Sequence, residues 1–284
     1  MSIEEFTMAY NRVLTIQDIS CVGQCSLTVA LPILSACGQE TVILPSAVLS
    51  THTGGFTGFT FRDLTDDIPE IRKHWQKEGI KFDAIYTGYL GSLKQIGYVA
   101  AILDTMGKES CIKIVDPAMA DNGKLYSIFD QNYADNMAIL CTKADIVLPN
   151  ITEACLMTGI EYREKYDQDY VMSVLKALRN KGMKTIVLTG ISYNDETTGV
   201  VVYEGDNYRY YSHNKLAEGC HGTGDIYASA FTGSLLSGKE IFEAAGIAAE
   251  YVLKCMENTL SDKEEHWYGV KFEPMIKELI KSLE

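Results

Sequence analysis

The sequence predicts an α/β fold, a three-layer sandwich with a mostly parallel central sheet and helices on both faces. Short segments rich in β-forming residues alternate with helix-length apolar stretches through most of the chain. That alternation is typical of right-handed strand–helix–strand crossovers. The sequence shows no internal repeat and no linker-like composition, and 284 residues is a length that one α/β domain commonly reaches. We therefore expect a single domain over 1–284, with 1–11 as a flexible N-terminal extension.

The strands and helices follow one another in a regular order up to residue 188. Each strand is a short run rich in β-forming residues, and each helix is a longer apolar or amphipathic stretch. The predicted strands are 12–17, 41–44, 83–87, 111–115, 145–148 and 185–188. The predicted helices between them are 25–37, 93–106, 133–142 and 170–181.

The pattern changes after residue 198. Two β-rich runs, 199–203 and 208–211, flank Glu-Gly-Asp-Asn at 204–207, which is a turn signal, so an antiparallel hairpin is expected on the edge of the sheet. Helices are then expected at 225–236, 239–256 and 272–283, with a charged surface loop at 261–266.

Charge and cysteine usage exclude several classes of protein. Thirty-eight acidic and 25 basic residues give a net charge of −13, which disfavours nucleic acid and anionic membranes as partners. No apolar run approaches the ~18 residues of a membrane span. The eight cysteines form no CxxC pair and follow no signal peptide, so we expect free thiols and a cytoplasmic location.

Polar or glycine-bearing turns follow nearly every predicted strand. Ligands of open parallel sheets bind outside the carboxyl ends of the strands, so this arrangement predicts a ligand crevice. Turns require such residues for conformational reasons too, so no single one of them is decisive. The residues at the strand ends are Asp18, the runs 50–54 and 88–91, Asp116-Pro117, the run 149–153 and Thr189-Gly190.

The strongest local signal is Gly222-Thr223-Gly224-Asp225, which runs directly into a helical pattern. Two glycines allow successive N–H groups to point one way, and the helix N-terminus adds a positive dipole, so an anion site is predicted. The alternative is an ordinary helix start with Asp225 as N-cap. If the anion is a transferring phosphoryl group, Asp225 is placed to accept the proton of the attacking hydroxyl.

Hard oxygen ligands occur at two neighbouring strand ends. Asp116 with Asp121, and Asn150 with Glu153, provide the few carboxylates that suit magnesium on a nucleotide. The alternative for Asn150-x-x-Glu153 is a capping box at a helix N-terminus. The two interpretations are compatible.

These motifs together resemble the ribokinase-like small-molecule kinases and, within them, the pyridoxal kinases. The resemblance covers about residues 12–258. The shared segments are Ile16-Gln17, Ser50-Thr51-His52-Thr53-Gly54, Thr87-Gly88-Tyr89, Val115-Asp116-Pro117, Pro149-Asn150-x-x-Glu153 and Gly222-Thr223-Gly224-Asp225. The last two are common to the superfamily, whereas the His-Thr-Gly and Thr-Gly-Tyr segments are more specific to pyridoxal kinases.

The resemblance implies a ribokinase-like fold and transfer of the γ-phosphoryl group of ATP to the 5′-hydroxyl of pyridoxal, pyridoxine or pyridoxamine. It implies Mg²⁺ with ATP, leaves a K⁺ requirement open, and suggests a homodimer. The implied catalytic residues are Asp225 as base and Gly222, Thr223 and Gly224 as anion hole. The implied nucleotide-binding residues are Asp116, Asn150, Glu153, Thr189 and Thr223, and the implied metal ligands are Asp116, Asp121 and Glu153. The implied vitamer contacts are Asp18, Thr53 and Tyr89.

The chain departs from the family at three places. It has Gln17-Asp18-Ile19 where the family usually has Gln-Ser-His, so Asp18 is expected to pair with a protonated ring nitrogen or the amine of pyridoxamine. Ser26 replaces a second glycine after Gly23. Gly219-Cys220 replaces the Asp-Thr that precedes the anion hole in the wider superfamily.

Three alternatives remain open at this point. Hydroxymethylpyrimidine kinases of thiamine synthesis have a similar helix start, although they tend to have cysteine where this chain has Asp225. A sugar kinase of the superfamily usually inserts a β lid soon after the first strand, whereas a helix is predicted here. A non-catalytic vitamer or nucleotide binder of the same fold would not need the base.

Overall fold

The computed structural model describes residues 10–216, 219–262 and 266–284. The expected N-terminal extension therefore lies largely outside the described residues. The strands are β1 (Arg12–Ser20), β2 (Glu40–Leu49), β3 (Phe61–Asp63), β4 (Phe82–Thr87), β5 (Gly107–Val115), β6 (Ala120–Asp121), β7 (Lys124–Leu125), β8 (Ile146–Val147), β9 (Thr185–Ile191), β10 (Thr197–Glu204) and β11 (Asn207–Asn214).

The helices alternate with these strands. They are α1 (Leu27–Ala36), α2 (Asp67–Lys77), α3 (Leu93–Thr105), α4 (Gln131–Cys141), α5 (Ile151–Thr158), α6 (Gln168–Asn180), α7 (Thr223–Leu236), α8 (Ile241–Ser261) and α9 (Ile276–Leu283), with a 3₁₀ turn at Glu273–Met275. None of the helices in the described part of the chain combines the length and the apolar character that a bilayer crossing requires.

A nine-stranded sheet runs in the order β11-β10-β9-β8-β5-β4-β1-β2-β3. All neighbours from β2 to β9 pair in parallel. The antiparallel pairs are β2–β3 at one edge and β9–β10–β11 at the other. The mostly parallel sheet and the edge hairpin are thus confirmed. The short strands β6 and β7 form a separate hairpin.

Two hydrophobic layers cover the faces of the sheet, because successive strand side chains point to opposite sides. Leu14 and Ile16 of β1 pack in one cluster with residues of α3 to α6. Val13 of the same strand packs in the other cluster with residues of α1, α7, α8 and α9. The predicted three-layer sandwich is therefore confirmed.

Several predicted boundaries were wrong. The strand predicted at 12–17 continues to Ser20, because Ile19 and Ser20 still pair with β2 beyond an irregularity in register. Asp18 consequently lies inside β1 and not after it. The helix predicted at 239–256 runs from Ile241 to Ser261. Its extra turn occupies the start of the expected loop 261–266, of which 263–265 lie outside the described residues.

Candidate active site

Four acidic side chains, Asp18, Asp116, Glu153 and Asp225, are brought to the carboxyl edge of the central strands. The charge of Asp18 acts on Asp225, and the charges of Glu153 and Asp225 act on Asp116. Burial is the largest influence on all four and raises each pKa above its ordinary value. A crowded and poorly solvated set of carboxylates of this kind favours a proton acceptor or a cation site.

Helix α7 begins at the predicted anion site, and Gly222 is its N-cap, with a φ of 85°. The alternative in which Asp225 caps the helix is therefore wrong. A Cβ atom at Gly222 would lie 2.2 Å from the Gln24 carbonyl oxygen, so only glycine fits there. A Cβ at Gly224 would meet nothing within 4 Å. The backbone of the first turn is thus open to an approaching anion.

Asp225 lies in the first turn of α7, and its carboxylate points back to the loop before α1. Its Oδ2 accepts a hydrogen bond from the backbone N–H of Ser26 at 2.9 Å. Burial raises the pKa of Asp225 to about 6, against the opposing effect of the Ser26 N–H. A carboxylate with this pKa is ionised at neutral pH and is a stronger base than an ordinary aspartate.

Ser26 has an unusual backbone conformation, with φ 55° and ψ −130°. This region favours glycine, and a non-glycine residue in such a region is strained by about 1–3 kcal/mol. The Ser26 hydroxyl donates to Asp18 Oδ1 at 2.5 Å, and the Ser20 hydroxyl donates to Asp18 Oδ2 at 3.0 Å. The Asp18 side chain is thus already engaged inside the protein, which the sequence alone did not indicate.

Glu153 and Asn150 form the predicted capping box at the start of α5. Asn150 Oδ1 accepts from Glu153 N at 2.9 Å, and Glu153 Oε2 accepts from Asn150 N at 2.9 Å. Glu153 Oε1 accepts from Met119 N at 2.9 Å. Oε1 also accepts from Ala120 N at 3.4 Å, so it is occupied by two backbone N–H groups. Oε2 accepts one hydrogen bond and keeps a lone pair for a metal-bound water.

The predicted metal residues occupy different environments. Asp116 is buried and its Oδ1 accepts from Ala118 N at 3.1 Å. Asp121 is exposed, and its two oxygens accept from the N–H and the Nδ2 of Asn122. Within the described ranges, no three His, Cys, Asp or Glu side chains group as a metal site. Buried Asp116 beside other carboxylates still fits Mg²⁺ that arrives with nucleotide phosphates and water, because that ion needs few protein ligands.

The predicted nucleotide residues Asn150 and Thr189 are neighbours across the sheet edge. They form an isolated parallel bridge, in which Thr189 N donates to Pro149 O at 2.9 Å. Asn150 Nδ2 donates to Ala120 O at 2.8 Å. Thr189 thus lies beside the start of α5.

The two remaining vitamer residues lie on different parts of the edge. Tyr89 is half-buried after β4, with its ring centroid 5.7 Å from that of Phe129, and burial raises its pKa to about 12. The negative charge of Asp18 also raises the pKa of Tyr89, so the two side chains lie near each other. Thr53 is exposed.

His52 organises the segment that carries Thr53, and it was not among the predicted site residues. Its Nδ1 accepts from Gly54 N at 3.1 Å, so Nε2 is the protonated nitrogen that donates to Tyr268 O at 2.6 Å. Phe56 packs on Trp267 with a centroid separation of 4.6 Å. Sequence reasoning missed this contact because its partners lie more than 200 positions apart, at |i−j| of 216. The His-Thr-Gly motif was the available signal.

The family comparison decides the class of protein. The sequence profile of the phosphomethylpyrimidine kinase family matches residues 60–268. The chain belongs to this family. Phosphomethylpyrimidine kinases are phosphotransferases, so the family implies ATP as phosphoryl donor.

Solved structures and curated relatives of the family point to two activities. A candidate phosphomethylpyrimidine kinase from Bacteroides thetaiotaomicron, crystallised with pyridoxal, is 34% identical with a TM-score of 0.89, over 95% of this chain and 96% of that one. Pyridoxal kinase from Lactobacillus plantarum is 28% identical with a TM-score of 0.89, over 96% and 98%. The hydroxymethylpyrimidine/phosphomethylpyrimidine kinase of Bacillus subtilis is 27% identical over 78% and 80%. The expected ribokinase-like fold is confirmed by the likeness to pyridoxal kinase.

Proposed function

We propose that the protein phosphorylates the 5′-hydroxyl of pyridoxal, pyridoxine or pyridoxamine with ATP, in vitamin B6 salvage. The observation that carries this proposal is Asp225, a buried carboxylate with a pKa raised to about 6, beside the open backbone of Gly224. A base and an anion site in adjacent positions are what phosphoryl transfer to an alcohol requires. The Bacteroides relative crystallised with pyridoxal supports a B6 vitamer as acceptor.

In the proposed mechanism the backbone of α7 and the carboxylate of Asp225 have separate roles. The N–H groups of Gly222, Thr223 and Gly224 stabilise the charge on the transferring phosphoryl group. Asp225 accepts the proton of the vitamer hydroxyl while that oxygen bonds to the γ-phosphorus, the bond from the γ-phosphorus to the bridging oxygen breaks, and ADP leaves. The Ser26 N–H holds one carboxylate oxygen at 2.9 Å and so orients the other toward the substrate. The Thr223 hydroxyl donates to Cys220 O at 3.4 Å and would turn from that carbonyl to donate to the phosphate.

The remaining proposed contacts divide between the nucleotide and the vitamer. Asn150 and Thr189 line the nucleotide side, and Thr53, Tyr89 and Asp18 line the vitamer side. Bound Mg²⁺ would neutralise phosphate charge, and Asp116, Glu153 and the exposed Asp121 are the residues proposed to hold it and its water. A homodimer is proposed from the resemblance and a cytoplasmic location from the free cysteines, and a K⁺ requirement remains open.

Hydroxymethylpyrimidine kinase is the second candidate. The family profile and the Bacillus relative favour it, since both carry the phosphomethylpyrimidine kinase name. Asp225 favours the B6 kinase, because the resembling hydroxymethylpyrimidine kinases tend to have cysteine at this position.

The two candidates are separated by the acceptor that is consumed. Initial rates of ADP formation are measured with pyridoxal, pyridoxine, pyridoxamine and hydroxymethylpyrimidine, and ³¹P NMR identifies the phosphate ester. The proposal expects the highest kcat/KM for a B6 vitamer. A higher kcat/KM for hydroxymethylpyrimidine contradicts it, and ligand binding without any turnover supports the non-catalytic alternative.

A further inference from the structure

Ser26 connects the two buried carboxylates Asp18 and Asp225. Its backbone N–H donates to Asp225 Oδ2 at 2.9 Å, and its hydroxyl donates to Asp18 Oδ1 at 2.5 Å. Ser26 is also the N-cap of α1, but its hydroxyl makes no capping hydrogen bond. A serine at this position ordinarily caps the helix. Here the Ser26 hydroxyl donates to Asp18, so it does not accept a hydrogen bond from the first turn of α1.

The contact with Asp18 has a conformational consequence. At φ 55° and ψ −130° the Ser26 backbone occupies a region that glycine adopts freely and serine does not. The Ser26 backbone is also held by an isolated antiparallel bridge to Ile19 and by the hydrogen bonds that its carbonyl accepts from Val29 N and Ala30 N. The hydrogen bond to buried Asp18 is the side-chain contact that opposes relaxation of Ser26 toward an ordinary conformation. Relaxation would rotate the 25–26 peptide and turn the Ser26 N–H away from Asp225.

Two of the three places at which the chain departs from the resembling family therefore touch each other. Asp18 stands where that family usually has serine, and Ser26 stands where it has glycine. Glycine would need no side-chain hydrogen bond to keep this conformation, whereas serine does. The Asp18 carboxylate accepts that hydrogen bond from Ser26 in this structure.

We propose that Asp18 is a positioning residue, which holds Ser26 in its glycine-like conformation so that the Ser26 N–H orients the Asp225 carboxylate. This proposal rests on the proposed function for the use of Asp225 as base. Under this proposal Asp18 orients Asp225 through Ser26, in addition to any contact that Asp18 makes with the vitamer. It also predicts that the importance of Asp18 depends on which residue occupies position 26.

The kinetic test uses Ser26→Ala and Ser26→Gly, each with and without Asp18→Ala. Alanine keeps the strain and loses the hydroxyl, whereas glycine loses both, so kcat of Ser26→Ala is expected to be about tenfold below that of Ser26→Gly. The rates are compared as kcat at saturating vitamer, so that a lost vitamer contact raises KM instead. Under that condition Asp18→Ala is expected to lower kcat about tenfold in the wild-type background and by less than about threefold in the Ser26→Gly background. Equal kcat for Ser26→Ala and Ser26→Gly, or the same Asp18→Ala effect in both backgrounds, would overturn the proposal.

A second measurement on the ligand-free protein remains valid even if no acceptor is turned over. Hydrogen exchange of the residue 26 amide is followed by ¹⁵N NMR, with Asp225→Ala as the control that removes its acceptor. Asp18→Ala is expected to speed this exchange about tenfold in the wild-type background and to leave it within about twofold in the Ser26→Gly background. Exchange that Asp18→Ala does not alter in the wild-type background contradicts the proposal, whatever the enzyme phosphorylates.

Discussion

Glu153 accepts a hydrogen bond from the backbone N–H of Met119 at 2.9 Å, so one carboxylate ties the start of α5 to the segment after β5. The same side chain accepts from Asn150 N through its other oxygen. The segment that it fastens contains Asp116, whose Oδ1 accepts from Ala118 N. Glu153 thus shapes the loop that presents Asp116, whether or not it also faces a metal-bound water.

Glu153→Ala is expected to destabilise the folded protein by about 2–4 kcal/mol, because it leaves buried backbone N–H groups without acceptors. Urea denaturation measures the change in the free energy of unfolding. Glu70→Ala on exposed α2 is the matched control and should change it by less than about 0.5 kcal/mol. Equal effects of the two substitutions would show that the Glu153 hydrogen bonds do not hold the fold.

Two glycines of the proposed anion site are expected to respond differently to alanine. Gly222→Ala places a Cβ 2.2 Å from Gln24 O at a φ of 85°, so thermal stability and turnover should both fall. Gly224→Ala meets no atom within 4 Å, so the fold should keep its melting temperature. Turnover of Gly224→Ala should nevertheless fall about tenfold or more, because the methyl group occupies the approach of the phosphate. Wild-type turnover of a stable Gly224→Ala protein contradicts the anion site.

The raised pKa of Asp225 predicts a pH-dependent stability of the ligand-free protein. Burial raises this pKa from 3.8 to about 6, so between about pH 4 and pH 6 the folded state holds a proton that the unfolded state has released. The stability that protonated Asp225 contributes to the folded state is fully present below about pH 4 and is lost as the pH rises through about 6. Asp225→Asn, which cannot ionise, should therefore be more stable than wild type above that pH, by roughly 2–3 kcal/mol.

Urea denaturation at about pH 5 and about pH 7.5 measures this difference between Asp225→Asn and wild type. Glu153 also has a raised pKa, but it is present in both proteins. Asp116 loses the charge of Asp225 in Asp225→Asn, so its raised pKa falls in the variant, and this adds to the same rise of the stability difference with pH. A stability difference that does not grow with pH is incompatible with a raised pKa at Asp225.

His52→Ala is expected to weaken binding of the vitamer and to leave binding of the nucleotide unchanged. Loss of the hydrogen bonds to Tyr268 O and from Gly54 N frees the segment that carries Thr53. The KM for the vitamer should rise about tenfold while the KM for ATP changes by less than about twofold. His74→Ala on exposed α2 serves as the control. A parallel rise of both KM values would argue against a local effect on the vitamer side.

Sequence patterns predicted the sheet well because its strands are short apolar runs separated by helices. They missed β3 and α2, since α2 has only Ile68 fully buried and thus a weak apolar signal. They ended the first strand at residue 17, because the polar Asp18 resembles a turn residue although Ser20 still pairs with Leu49.

At the site, the sequence predicted the features that are formed by residues close together in the chain. The start of α7 and the capping box of Asn150 and Glu153 each lie within a few residues of sequence. The bond from Ser26 N to Asp225 and the bond from His52 to Tyr268 join segments separated by 199 and 216 positions. Such contacts depend on strand order and backbone angles, which a single sequence does not encode in any readable pattern.

Asp225→Ala most directly tests the claim that Asp225 is the base for phosphorylation of a B6 vitamer. Steady-state kinetics with pyridoxal and ATP should show kcat lowered by about 100-fold or more, with the KM for ATP within about twofold of wild type. Turnover of Asp225→Ala near the wild-type rate would contradict the account.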